Sequence, residues 1–160
     1  MAKKPKAVPT APYLSVGLMC EKVLREVDGP VTPVRIVDRI TIPIMGNIPD
    51  GAIIKMPYAL LFIVRCGTFV GEKEIKIVAV TPSVKKFQIS RAELAFDGHP
   101  EGGATIECQV AFQWEANGGL YWFEAHVDGV VIGRVPMKLT VTPASPGASA
   151  EPQPIKIGKK

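Results

Sequence analysis

The reaction chemistry this chain could offer rests on two histidines, three cysteines and scattered carboxylates. His99 sits in the polar stretch Asp97-Gly98-His99-Pro100-Glu101, and His126 lies in an alternating apolar stretch. Metal binding and acid–base catalysis need clustered ligands, yet no H-x-H or H-x-x-x-H pair occurs and no cysteine spacing suits zinc. Asp97, His99 and Glu101 alternate and could converge on an ion, but a polar loop tip accounts for them without one. Each of Cys20, Cys66 and Cys108 could meet His126 in space. Cys108, however, alternates with core residues and Cys66 ends an apolar run, the setting of inert buried thiols. There is no G-x-S-x-G, and Asn117-Gly118-Gly119 is a turn, because no helix bearing Lys-Ser/Thr follows it. No catalytic residue, metal ligand or cofactor-binding residue is therefore assigned, and a non-enzyme is expected.

Two features point to contacts instead of reactions. Asp38 falls between Ile36 and Ile40 on an apolar face, where a carboxylate must either turn outward at a bulge or pair with an arginine such as Arg65. Leu120, Trp122 and His126 occupy the non-core face of one strand, and Val130 and Ile132 lie across the following hairpin. Such a surface can stack a sugar or a base, but a patch of Trp, Val and Ile more often packs on protein.

The chain has 160 residues, enough for one domain with a substantial core. Hydrophobic residues make up 47% and the mean hydropathy is +0.20, high for 21% charged residues. The longest apolar run, Tyr58–Val64, is far short of the ~18 residues of a membrane span, so a core or an interface must absorb the excess. The start of the chain lacks the apolar segment of a signal peptide, and an odd cysteine count without C-x-x-C suits a reducing compartment, so the cytoplasm is expected. Net charge is +4, but residues 1–10 and 145–160 carry +5 and residues 11–144 only −1. A specific nucleic-acid-binding fold is not expected from that balance.

The elements that would position these residues are strands. Ile106, Cys108, Val110, Phe112 and Trp114 alternate with polar neighbours, as do Tyr121, Phe123, Ala125 and Val127. Asp128-Gly129 marks a hairpin into a strand running from Val130 to about Val141, which Pro136 places at an edge or a bulge. Further strands are expected at Tyr13–Cys20 through Leu14, Val16 and Leu18, at Cys20–Val27, at Val34–Ile42, at Ala59–Cys66 and at Glu74–Thr81. Ala59–Cys66 is nearly all apolar, like a strand covered on both faces. Two long connections remain, Pro43–Pro57 and Val84–Gly103. In the second, Ser90 with Glu93 suits one helical turn, and Phe87-Gln88-Ile89 suits a short strand. The expectation is an all-β, antiparallel two-sheet β-sandwich of about eight strands spanning 13–143, with a closed barrel as the alternative. Flexible tails are expected at 1–12 and 144–160.

Leu18-Met-Cys-Glu, Asp28-Gly29, Arg35-Ile-Val-Asp-Arg-Ile40, Gly71-Glu-Lys-Glu-Ile75, Thr81-Pro82 and Gly119-Leu-Tyr-Trp-Phe123 resemble a family of small bacterial proteins known as a domain of unknown function. The resemblance covers roughly 13–141, implies a β-sandwich and brings no catalytic residues. The functional expectation is a non-catalytic protein-binding or assembly module, self-associating through Leu120, Trp122, His126, Val130 and Ile132. The alternative is a small-ligand or glycan-binding module using Trp122.

Overall fold

Nine strands and their turns make up the computed structural model, which describes residues 9–44 and 46–143. They are β1 (Tyr13–Arg25), β2 (Val31–Ile36), β3 (Arg39–Ile44), β4 (Ile53–Arg65), β5 (Val70–Val80), β6 (Lys86–Asp97), β7 (Gly103–Gln113), β8 (Gly119–Val127) and β9 (Val130–Pro143). One sheet has the order β2-β1-β4-β7 and the other β3-β9-β8-β5-β6. The chain is an all-β two-sheet sandwich. Every strand pair is antiparallel except β3 with β9, which run parallel from Arg39 opposite Lys138 to Ile44 opposite Pro143. No helix long and apolar enough to cross a membrane occurs among the described residues.

Alternation builds the core. Val110 and Phe112 of β7, with Ile106 and Cys108 and with Leu60 and Phe62 of neighbouring β4, face Tyr121 and Phe123 of β8 and Met137 and Leu139 of β9. The Phe112 and Tyr121 rings lie 4.9 Å apart at 57°. Burial pushes the Tyr121 phenol up to about 12, and its oxygen accepts the Glu115 N–H at 3.2 Å. Val127 and Val130 pair directly around Asp128-Gly129, whose φ values of 46° and 81° define the two-residue hairpin with positive φ at both positions.

Four local expectations change. Val34–Ile42 is two strands, because the chain crosses between sheets at Val37–Asp38. Asp38 is exposed there, and its carbonyl accepts the Lys138 N–H at 2.8 Å. The Val84–Gly103 connection contains β6, a twelve-residue edge strand that includes Phe87-Gln88-Ile89 and leaves no helical turn at Ser90. Register shifts between Leu14 and Val16 turn β1 over, so that Gly17 and Met19 face inward while Val16, Leu18 and Cys20 pair outward with Ile63, Leu61 and Ala59. Ordered backbone also begins before Tyr13, since the Thr68 N–H donates to the Pro9 carbonyl at 3.0 Å. Residues 1–8 and 144–160, most of the expected tails, lie outside the described residues.

Candidate functional site

The outward side chains of β8 are Leu120, Trp122, Glu124 and His126, since Tyr121, Phe123 and Ala125 belong to the core. A bulge in β9 decides what stands beside them. Ala125 pairs with Gly133 but His126 pairs with Val131, which leaves Ile132 as the extra residue. Ile132 packs against the core, and Val130, opposite inward-facing Val127, is 66% exposed at the hairpin end. The five residues expected on one face are therefore divided. Leu120, Trp122 and His126 share it, Val130 and Ile132 do not, and Val131 takes their place. The one-residue insertion carries no motif, so alternation alone assigned these faces in reverse.

Glu124 is the centre of this surface. Only 5% exposed, its carboxylate lies 3.0 Å from His126 Nε2, 3.0 Å from Arg134 Nε and 3.9 Å from Lys86 Nζ. His126 Nδ1 stands 3.4 Å from the Gly129 carbonyl. Both ring nitrogens are thus engaged, and His126 is a partner of Glu124, itself largely buried. Beside this cluster Leu120, Trp122, Val80 and Val84 line a shallow groove of about 470 Å³, with Lys86 and Arg134 at its polar end. A buried carboxylate held by two cations and a histidine is a satisfied structural hub. Trp122 gives the groove an aromatic wall, and Lys86 and Arg134 give it exposed cations. Among the described residues, no group of three or more His, Cys, Asp or Glu side chains could hold a metal ion.

The other sheet presents a different outer surface. Pairing places Val16 beside Ile63, Leu18 beside Leu61, and Cys20 between Ala59 and Ile36, all outward. Leu61 and Cys20 are 1% and 0% exposed under their neighbours, whereas Ile36 is 68% exposed. Lys22 borders this apolar surface on β1, and Glu107 of β7 borders it on the far side. Arg25 reaches Glu107 across the sheet at 3.0 Å. The run Ala59–Cys66 was the signal, because both faces of β4 are apolar there although only one meets the core.

The cysteines are unpaired. Burial pushes the Cys108 thiol up to about 11, reinforced by Glu107, and burial likewise raises Cys20. The Cys66 Sγ lies 2.9 Å from the His99 carbonyl, so this loop contacts the thiol through backbone and not through its imidazole. Asp97 accepts the His99 N–H at 3.0 Å, closing the loop on itself.

No family model and no curated protein matches this chain. Among solved structures it is similar to the Pseudomonas fluorescens alkylpurine DNA glycosylase AlkC bound to DNA containing an abasic site analog, with a TM-score of 0.43 and 12% identity. The likeness covers 82% of this chain and 31% of that one, so the chain spans about a third of the length of the protein it matches.

Proposed function

We propose that this chain is a non-catalytic module that acts through protein contacts, and that it self-associates through the outer face of the β2-β1-β4-β7 sheet. The supporting observation is the apolar surface of that face, where Val16 and Ile36 are exposed and Leu18, Ile63 and Ala59 are half-buried over the covered Leu61 and Cys20. Each large side chain such as Ile36 removed from water contributes ~1.5–3 kcal/mol. A second copy suits the surface because two sheets pack face to face at about 10 Å when their outward residues interdigitate. A two-fold axis along the strands lays β2 of one copy over β7 of the other and β1 over β4. Three unpaired thiols fit a reducing compartment such as the cytoplasm.

Light scattering of the full chain over a wide concentration range tests this reading. The wild type should pass from monomer to dimer, and Ile36→Glu should stay monomeric with an unchanged circular dichroism spectrum. Ile36 is exposed, so the substitution leaves the core intact. A wild type that stays monomeric at the highest concentration refutes self-association.

A further inference from the structure

The net charge of the folded part conceals how its charges are arranged. On the outer face of the five-stranded sheet, strand register orders the side chains in rows. The row of Trp122 contains Lys86, Val80 and Pro136, and the row of Glu124 contains Gln88, Val78 and Arg134. The row of His126 contains Lys76, Arg91 and Val131, and the row of Leu120 contains Lys138 and Arg39. These four rows hold six cations and one carboxylate, Glu124. The remaining acids of the face, Glu72, Glu74 and Glu93, follow beyond His126 at the opposite end. Glu74 pairs with Lys76 and with Arg91 (2.5 Å), which draws those two cations away from Trp122.

Around Trp122 the positive charge is only partly compensated, four cations standing against the single carboxylate of Glu124. Arg39 and Lys138 stand directly opposite each other on β3 and β9, and neither makes an ion pair among the described residues. Like charges facing across a strand pair are destabilising unless an anion lies between them. Arg134 and Lys86, more than half exposed, share the single carboxylate of Glu124. Trp122 and Leu120 lie between these two basic pairs, beside the groove that Val84 closes on one side.

We infer that this face binds single-stranded nucleic acid without sequence preference. A base stacks on the Trp122–Leu120 wall, and backbone phosphates meet Arg39 and Lys138 on one side and Arg134 and Lys86 on the other. Aromatic stacking combined with a cationic track is the physical basis of sequence-tolerant single-strand binding. The five strands span about 19 Å at the usual strand spacing, room for a few nucleotides. A neutral glycan would use the tryptophan but leave the facing Arg39 and Lys138 unmet. This surface is on the opposite side of the molecule from the proposed self-association face, so either reading can fail alone.

The test is fluorescence anisotropy of a labelled fifteen-nucleotide oligothymidylate with the full chain at several salt concentrations. Binding should weaken with salt at a logarithmic slope of about −3, as expected for four phosphates at ~0.7 each on a single strand. Arg39→Glu combined with Lys138→Glu should weaken binding at least tenfold and reduce the slope by about 1.4. Both side chains are exposed, so this double variant preserves the fold. Trp122→Phe should retain much of the affinity, and Trp122→Leu should lose it with the slope unchanged. The inference is overturned if the wild type does not bind at low salt, if the double variant binds as tightly as the wild type, which would assign binding to the lysines near the termini, or if neutral oligosaccharide binds where the oligonucleotide does not.

Discussion

Leu14 of β1 occupies the space that a side chain on Gly133 of β9 would need. A β-carbon built on Gly133 would lie 2.2 Å from Leu14 Cδ2 and 3.1 Å from its Cβ. Each residue adjoins a register irregularity in its strand, between Leu14 and Val16 in β1 and between Ala125 and His126 in the β8–β9 pair. The two sheets approach here because one strand offers a glycine where the other inserts a leucine.

Gly133→Ala should therefore destabilise the fold by about 1–3 kcal/mol, the usual cost of overpacking a closed core. Leu14→Ala alone should also destabilise it, by leaving a cavity. Combined, the two changes should cost less than the sum of the single effects, because the alanine methyl fills space vacated by the leucine. Urea unfolding of the four proteins measures this coupling, and strict additivity would show that the two sites do not share that space.

The hairpin from β5 to β6 carries a different kind of strain. Val84 has φ of 67°, a left-handed conformation that a β-branched side chain adopts at a cost, and it is exposed, so no packing compensates. Its N–H donates to the Thr81 carbonyl at 2.9 Å, and the Thr81 N–H donates to the Lys85 carbonyl at 2.9 Å, fixing the residue in place. Val84→Gly should raise stability by about 1 kcal/mol and increase Tm, visible by calorimetry. A decrease would mean that Val84 gains more from the Trp122 groove than its backbone loses.

These irregularities mark where sequence patterns stop being informative. The alternation in β7 and β8 and the Asp128-Gly129 turn were legible because each residue's type agrees with its place in the strand. Faces were misassigned wherever a bulge shifted the period by one, as at Leu14–Val16 and around Ile132. In Val34–Ile42 the apolar face is interrupted only at Asp38, where the chain changes sheets, and local pattern cannot encode which sheet a strand joins. The basic outer face escaped notice for the same reason. Arg39, Lys86 and the β9 pair Arg134 and Lys138 are far apart in sequence and become neighbours only through the β3-β9-β8-β5-β6 order.

The Asp128 turn makes the fold sensitive to acid in a way that can be isolated. Its carboxylate accepts a hydrogen bond from Lys73 Nζ at 2.6 Å and from the Glu74 N–H at 3.0 Å. The lysine first, then the backbone donor, hold the Asp128 carboxyl below its ordinary value of 3.8. A carboxyl lowered in the folded state adds stability above the unfolded-state value, and that stability is lost as pH falls through the folded-state value. Wild-type stability should accordingly drop as pH is lowered from about 4 towards 2. Glu74, held low first by its hydrogen bond from Lys76 and then by Arg91, contributes to the same decline. Asp128→Asn separates the two, since asparagine tolerates positive φ at this turn and its side-chain oxygen can still accept from Glu74. The variant should be less stable than the wild type near pH 7 and approach it near pH 2, where the wild-type carboxyl has lost its charge. Urea midpoints at both pH values give the comparison. A stability gap as wide in acid as at neutral pH would mean that Asp128 acts through turn geometry alone, and that its ion pair with Lys73 contributes nothing to folding.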